Sequence, residues 1–438
     1  MFVIIGIVIV FASVIGGYLM EQGNLALLFQ PAEMVIIFGA AIGGFIISSP
    51  MKVIKAVKGG VMRMFKGKIY SSSDYIEALV LLSEIFYKIR KEGLVSIESD
   101  LDEPDNSAPA QLSRTAVKDK PYIVSETNEP FPNDHAAEFI PILAAYGLLQ
   151  DWDGISFYDY DGTWWRSYWQ NEEWRLDRIP HHFEIGLDPV KMPQMAAGAL
   201  MFLRGDVQPA RQTVERTATQ EWLLDSLRVQ MPVSHPYWLP HLPGRLALVH
   251  RTVLADFNAE AVRPAEGEVT LPAGTVLSDT GELTWESAAD GAHVRIDTPS
   301  HQAVIGRAGR QETGNMVLDL ETPFAAVQLA SLEERPIAQA GRLLLIAGGR
   351  VANRGMRWAD AERHSIEEWG EGPTTIEPVV ARLTLRGLQG AQAVTLQPLD
   401  GSGQPMGEAI PFTAEGRGFG VALTGEPATP WYLVQVTR

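Results

Sequence analysis

Phe2–Met20 is a run of 19 residues without a charged side chain, and it restricts the fold more than any other stretch. At ~1.5 Å per residue a helix of that length crosses a hydrocarbon core of ~30 Å. A cleaved signal peptide would carry a basic leading segment and a shorter apolar stretch, so a retained membrane helix is expected over 2–20. A second is expected over 32–49, where apolar Met34–Ile47 is flanked by Pro31-Ala32-Glu33 and Ser48-Ser49. Its Gly39-Ala40-Ala41-Ile42-Gly43 has the spacing that lets helices approach closely, and Glu33 reads as an interfacial residue. Residues 1–49 hold no Lys or Arg, whereas Lys52, Lys55, Lys58, Arg63, Lys66 and Lys68 follow directly. Basic residues stay on the cytoplasmic side, so a two-pass protein is expected, with its N-terminus and residues 50–438 in the cytoplasm.

A cytoplasmic amphipathic helix is expected over 73–92. Ser73 can cap it, Asp74 suits the positive end of its dipole, and Gly93 can close it. Lys88, Arg90 and Lys91 in the last turn complement the dipole. GGYLMEQGNLALLFQPAEMVIIFGAAIGGFI, the basic segment after it and IRKEGLVSIESDLDEPDNSA resemble the N-terminal part of the MotA family of flagellar stator subunits, over residues 1–108. The resemblance implies the inner membrane as location and ring assembly around a MotB-like partner, coupling ion flow to rotation. It also implies rotor contacts through an Arg and a Glu that fall on Arg90 and Glu98. The family has four membrane helices, and no third or fourth run of 18 apolar residues follows residue 108. The resemblance therefore implies a truncated stator segment.

Residues 101–438 differ in kind. They carry 27 basic and 45 acidic groups, a balance that argues against nucleic-acid binding. Up to residue 120 there are nine Lys and three Arg, and beyond it one Lys, Lys191, and 23 Arg. All 11 Trp lie at or after Trp152. Such a switch reads as two coding histories joined. The chain has no Cys, which excludes disulfides, thiol catalysis and Cys-based metal sites. Residues 109–120, polar and without periodicity, read as a junction, either linker or disordered seam.

Pro121–Asn133, PYIVSETNEPFPN, reads as a short buried strand, Tyr122-Ile123-Val124, delivering Ser125 and Glu126 to a strand end ahead of a turn at Pro130 and Pro132. An apolar helix to Leu149 and a strand from Ile155 to Tyr160 complete a βαβ unit. A loop with Trp164, Trp165, Trp169 and Trp174 follows, then a helix over 188–204. Residues 121–210 resemble the C-terminal part of a (β/α)8 barrel of the large retaining glycoside hydrolase clan, with HFEIGLDPVKMPQ and FLRGDVQPARQTV as its exit. The resemblance implies a barrel remnant whose nucleophile position is Glu126, with Asn128 as a substrate contact. Retaining hydrolysis needs two carboxylates ~5–5.5 Å apart, and the strand carrying the second would lie upstream, where the MotA-like segment stands. Glu129 is the remaining acid/base candidate. Residues i and i+3 of an extended chain point to opposite faces, so it converges on Glu126 only through a sharp turn. Trp164, Trp165 and Trp169 can either stack on sugar rings or pack over the barrel top. His181-His182 and Glu184 read as a satisfied loop pair and not as a metal site.

Residues 211–266 read as a connecting segment with a helix around Thr219–Val229. From 267 to 438, short alternating runs (HVRIDT, QAVIGRAG, MVLDLE, FAAVQLASL, RLLLIAGG, VVARLTLRG, AVTLQPLD, WYLVQVTR) are punctuated by Gly, Asp and Asn. They suggest an antiparallel β-sandwich. No phosphate loop or dinucleotide fingerprint is present, and no cofactor is implied. The whole reads as a multi-domain chimera, a truncated stator segment joined to part of a glycosidase without the full activity of either. A membrane-tethered glycosidase acting on carbohydrate and a motor component are the alternatives.

Overall fold

The computed structural model describes residues 102, 104–160, 177–222, 242–271, 274–287, 292–360, 363 and 365–438, together with 20, 35, 39, 40 and 43. The chain divides into two compact units, Met1–Lys91 and Glu92–Arg438. In the first, the five described residues are helical. The expected spans 2–20 and 32–49 and the expected helix 73–92 otherwise fall outside the described residues. No helix among the described residues is long and apolar enough to cross a membrane.

The second unit begins with a departure from expectation. Much of the junction is folded: α1 (Ala108–Leu112) and a 3-10 turn at Ser113–Thr115 bury Ala110, Ser113 and Arg114. Pro109 sits in the first turn, where a missing N–H costs nothing. Asp105 anchors the entry by accepting from the backbone and guanidinium of Arg245. A polar, aperiodic stretch folds here because Ala110 and Ala116 find a core while the side chains of Gln111, Ser113 and Thr115 donate to the carbonyls of Asn106, Pro109 and Leu112.

The strand–helix–strand unit comprises β1 (Ile123–Thr127), α2 (Phe139–Leu149) and β2 (Gly154–Phe157). β1 and β2 pair in parallel as a two-stranded sheet. Among the described residues there is no closed ring of strands. α3 (Lys191–Arg204) follows, and ends at Gly205 with φ +70°. There the Gly205 and Asp206 N–H groups both donate to the carbonyl of Met201, a glycine-dependent helix stop. Sequence periodicity missed the next pair. β3 (Thr213–Thr217) lies parallel to β4 (Arg251–Asp256), with the short helix α4 (Leu246–Val249) leading into β4.

The remainder is dominated by one antiparallel sheet. β5 (Val276–Leu277), β6 (Leu283–Glu286), β7 (His293–Asp297), β8 (His301–Glu312), β9 (Met316–Ser331) and β10 (Arg342–Gly348) come first. Next, β11 (Val351–Arg354) pairs with β14 (Glu371–Ile376), enclosing the hairpin β12 (Arg357–Trp358) and β13 (Ile366–Glu368). β15 (Ala381–Arg386), β16 (Ala393–Pro398), β17 (Ile410–Pro411), β18 (Thr413–Glu415), β19 (Gly418–Leu423) and β20 (Trp431–Thr437) complete it. Two runs expected as separate strands, MVLDLE and FAAVQLASL, form the single strand β9, since Thr322 and Pro323 continue the extended chain. One half of β9 pairs with β15 and the other with β10. The sheet thereby splits into two leaves, β15-β19-β18 and β10-β20-β16-β17.

Alternation along β10 shows what covers each face. Leu343 and Leu345 enter the core between the leaves, with Leu383, Leu385, Val421 and Val434. Leu344 and Ile346 point the other way, onto Ala197 of α3. Further along the sheet, Val294, Ile296, Ala303 and Ile305 pack on Ile142, Tyr146 and Leu149 of α2. Central strands covered on both sides read as unbroken apolar runs, while β15 and β20, covered on one, alternate. The helices thus form a third layer on the sheet.

Candidate functional site

β1 ends in an irregularity that decides how its side chains point. The register with β2 shifts between Val124 and Thr127. Val124 is buried, but Ser125 and Glu126 are both exposed, so strict alternation is broken. A bulge of this kind re-aims a side chain at a strand end. Glu126 therefore lies inside the strand, one residue short of its end.

The turn after it is held from below by Lys191 and Asp188. Lys191 is the single lysine beyond residue 120 and is 1% exposed. Its ammonium donates to Asn128 Oδ1 at 3.0 Å and to the carbonyl of Glu129. Asp188 Oδ1 accepts the N–H groups of Val190 and Lys191, each at 2.9 Å, satisfying the first turn of α3. Burial pushes the Lys191 ammonium below its ordinary range, against the pull of Asp188 and Glu129. Burial likewise raises Asp188, against Lys191 and those two N–H groups. Asn128 Nδ2 donates to the carbonyl of Phe183 at 2.8 Å, tying the turn to the segment after β2. The Glu129 carboxylate accepts from Asn133 Nδ2 at 2.5 Å. Glu129 is thus bound within its own turn.

The β11–β14 excursion supplies the far wall. Trp369 meets Phe131 and His182 edge-on, with ring centroids 5.4 and 5.0 Å apart, and its indole N–H donates to the carbonyl of Ile179. Asn353 donates to that same carbonyl at 2.9 Å. Asp134 receives Arg350 at 3.1 Å and Arg363 at 2.7 Å. A crevice of about 10 Å³ lies among Phe131, Asn133, Asp188, Lys191 and Gly349, room for about one water. His181 and Glu184 stand 3.6 Å apart, and His182 Nδ1 is 2.8 Å from the carbonyl of Phe131. No group of metal-binding side chains occurs among the described residues.

Of the residues singled out from sequence, the fold brings Asn128 and Glu129 together with Lys191, and leaves Glu126 on the surface beside them. Trp164, Trp165 and Trp169 lie outside the described residues, as do Arg90 and Glu98. Sequence reasoning missed Lys191 and Asp188. The signal was present, since one Lys among 23 Arg after residue 120 marks a position where a compact ammonium differs from a guanidinium.

Residues 4–93 match the family described as Motility protein A N-terminal. Within that similarity, motility protein A of Salmonella typhimurium (strain LT2) is 39% identical over 107 residues, covering 24% of this chain and 36% of the relative. Motility protein A of Escherichia coli K12 matches to the same extent. Chemotaxis protein LafT of Vibrio parahaemolyticus is 33% identical over 104 residues. The chain thus spans about a third of the length of the curated relatives it matches. No solved structure matches.

Proposed function

We propose that this chain joins a truncated MotA-like segment, anchored in the inner membrane by two helices with residues 50–438 cytoplasmic, to the C-terminal part of a retaining glycoside hydrolase, without the full activity of either. The observation that carries this reading is a division. Similarity to motility proteins spans residues 4–93, whereas the body beyond presents a parallel strand pair with an exposed carboxylate, Glu126, next to the end of its first strand. Retaining hydrolysis needs a second carboxylate opposite the first, and Glu129 is committed to Asn133. Purified full-length protein should therefore give no turnover of aryl-glycosides. Turnover abolished by Glu126→Gln would replace this reading with its alternative, a membrane-tethered glycosidase with Glu126 as nucleophile and Asn128 and the Trp164, Trp165 and Trp169 loop against the sugar.

A motor role is the second alternative, favoured by the relatives' names. It would engage a MotB-like partner and the rotor through Arg90 and Glu98. Restoration of swimming in a strain lacking motility protein A would establish it. Loss of binding to rotor proteins on charge reversal at Arg90 would locate the contact.

A further inference from the structure

Below the C-terminal end of α3, an imidazole is buried in the joint between helix and sheet. His301, the first residue of β8, is fully buried. Its Nε2 lies 3.3 Å from Gln328 Oε1 on β9, and its Nδ1 lies 4.0 Å from Asp206 Oδ2 without a hydrogen-bond partner. Asp206 is gripped at both oxygens by Arg204, at 2.6 and 2.7 Å. The same guanidinium donates to the carbonyl of Ser331 at the end of β9 and to that of Ser300 in the turn before β8. One arginine thus ties the end of α3 to two strand ends.

We propose that Arg204, Asp206 and His301 form an acid-sensitive joint that releases the C-terminal end of α3 from the ends of β8 and β9 as pH falls. The geometry supplies the reason. In the tautomer that gives Nε2–H to Gln328 Oε1, Nδ1 turns a lone pair toward a carboxylate oxygen, and no proton lies between these two acceptors. Protonation would supply one, but it would put a second cation beside Arg204 on a ring that is itself fully buried. The ionised groups acting on the ring are Asp206, which favours the charge, and Arg204, which opposes it. Gln328, which the ring meets on β9, and Thr298, which accepts the His301 backbone N–H in the preceding turn, are neutral. Burial outweighs Asp206 and pushes His301 down to about 4. Once the joint opens, the imidazole meets water and titrates near its ordinary value of ~6.5. Protons therefore bind the open form first. The closed form loses ground as pH falls from ~6.5 toward 4, and no further below that. A surface cavity of about 440 Å³ lined by Arg204, Asp206, Ser300 and Arg335 gives water a path to the joint. The device operates whether or not Glu126 has a catalytic role.

The test is amide hydrogen exchange of the full chain in detergent, read over residues 200–206 and 298–303 at about pH 7.5 and about pH 5, corrected for intrinsic exchange. Opening should rise about thirtyfold between the two, stay confined to those segments and vanish in His301→Gln. The slow exchange of the His301 ring C2 proton, followed against pH in the wild-type chain, should give a midpoint well below the ordinary value. Opening that ignores pH, an acid response that persists in His301→Gln, or a His301 midpoint near ~6.5 would each overturn the proposal. If His301→Gln does not fold, the wild-type ring titration decides alone.

Discussion

The antiparallel sheet and the β1–β2 pair solve the same problem in opposite ways. The sheet is built largely by neighbours in sequence: β6 to β10 pair in chain order, and β9 serves both leaves. Its central strands are covered on both faces by its own second leaf and by helices. The parallel pair has one partner per strand among the described residues, and every further support is lent from outside. α2 covers it on one side, Lys191 of α3 holds its turn, and Trp369 of the β11–β14 excursion closes the wall. Parallel strands elsewhere are found in larger sheets covered on both faces. A pair this small persists because the helices above it are also the third layer of the sheet.

The comparison breaks most readily where the two regions share a core. Trp285 on β6 is fully buried and meets Tyr146 of α2 at 5.6 Å between ring centroids. Trp285→Ala should cost about 4 kcal/mol. In urea unfolding, far-UV signal and exchange protection over 121–157 should shift together. Protection lost over 121–157 alone, with the sheet intact, would show that the helical layer is expendable to the sheet. Lys191→Met sharpens the contrast from the other side. It leaves Asn128 Oδ1 and the Glu129 carbonyl without their buried donor and Asp188 without its counter-charge, at a cost of about 3 kcal/mol. Exchange should quicken over residues 128–134 and remain unchanged in β15–β20.

How far the sequence discloses each region follows from the same contrast. Period-2 alternation located β15, β16 and β20 because each has one covered face, and the apolar run of β10 is long enough to stand out. The βαβ unit was legible from the spacing of its apolar segments. α1 was not, because the segment is held by contacts distant in sequence, such as Arg216 donating to the carbonyl of Arg114 and Arg245 to Asp105. The β11–β14 excursion was equally hidden. VANRG and TTIEP carry no apolar alternation, and what fixes them is Asn353 and Thr374 reaching Ile179 across the chain. At the candidate site Asn128 and Glu129 could be named from a motif. Their commitment to Lys191 and Asn133 could not, since it depends on where α3 lands.

The smallest expected effect bears most directly on the site. Glu126 is exposed on β1, and its carboxylate makes no hydrogen bond among the described residues, unlike Glu129 a turn later. Glu126→Gln should therefore move the unfolding free energy by less than about 0.5 kcal/mol. A working nucleophile would behave differently. Carboxylates poised against a second acid are held at some cost to the fold, and neutralising one stabilises the protein by a measurable amount. A gain of about 1 kcal/mol or more in Glu126→Gln would reveal a like charge facing Glu126. The strand pair would then be a strained site and not merely a supported one. An unchanged midpoint, alongside the large loss in Trp285→Ala, would locate the structural work of this region in the layer beneath the carboxylate.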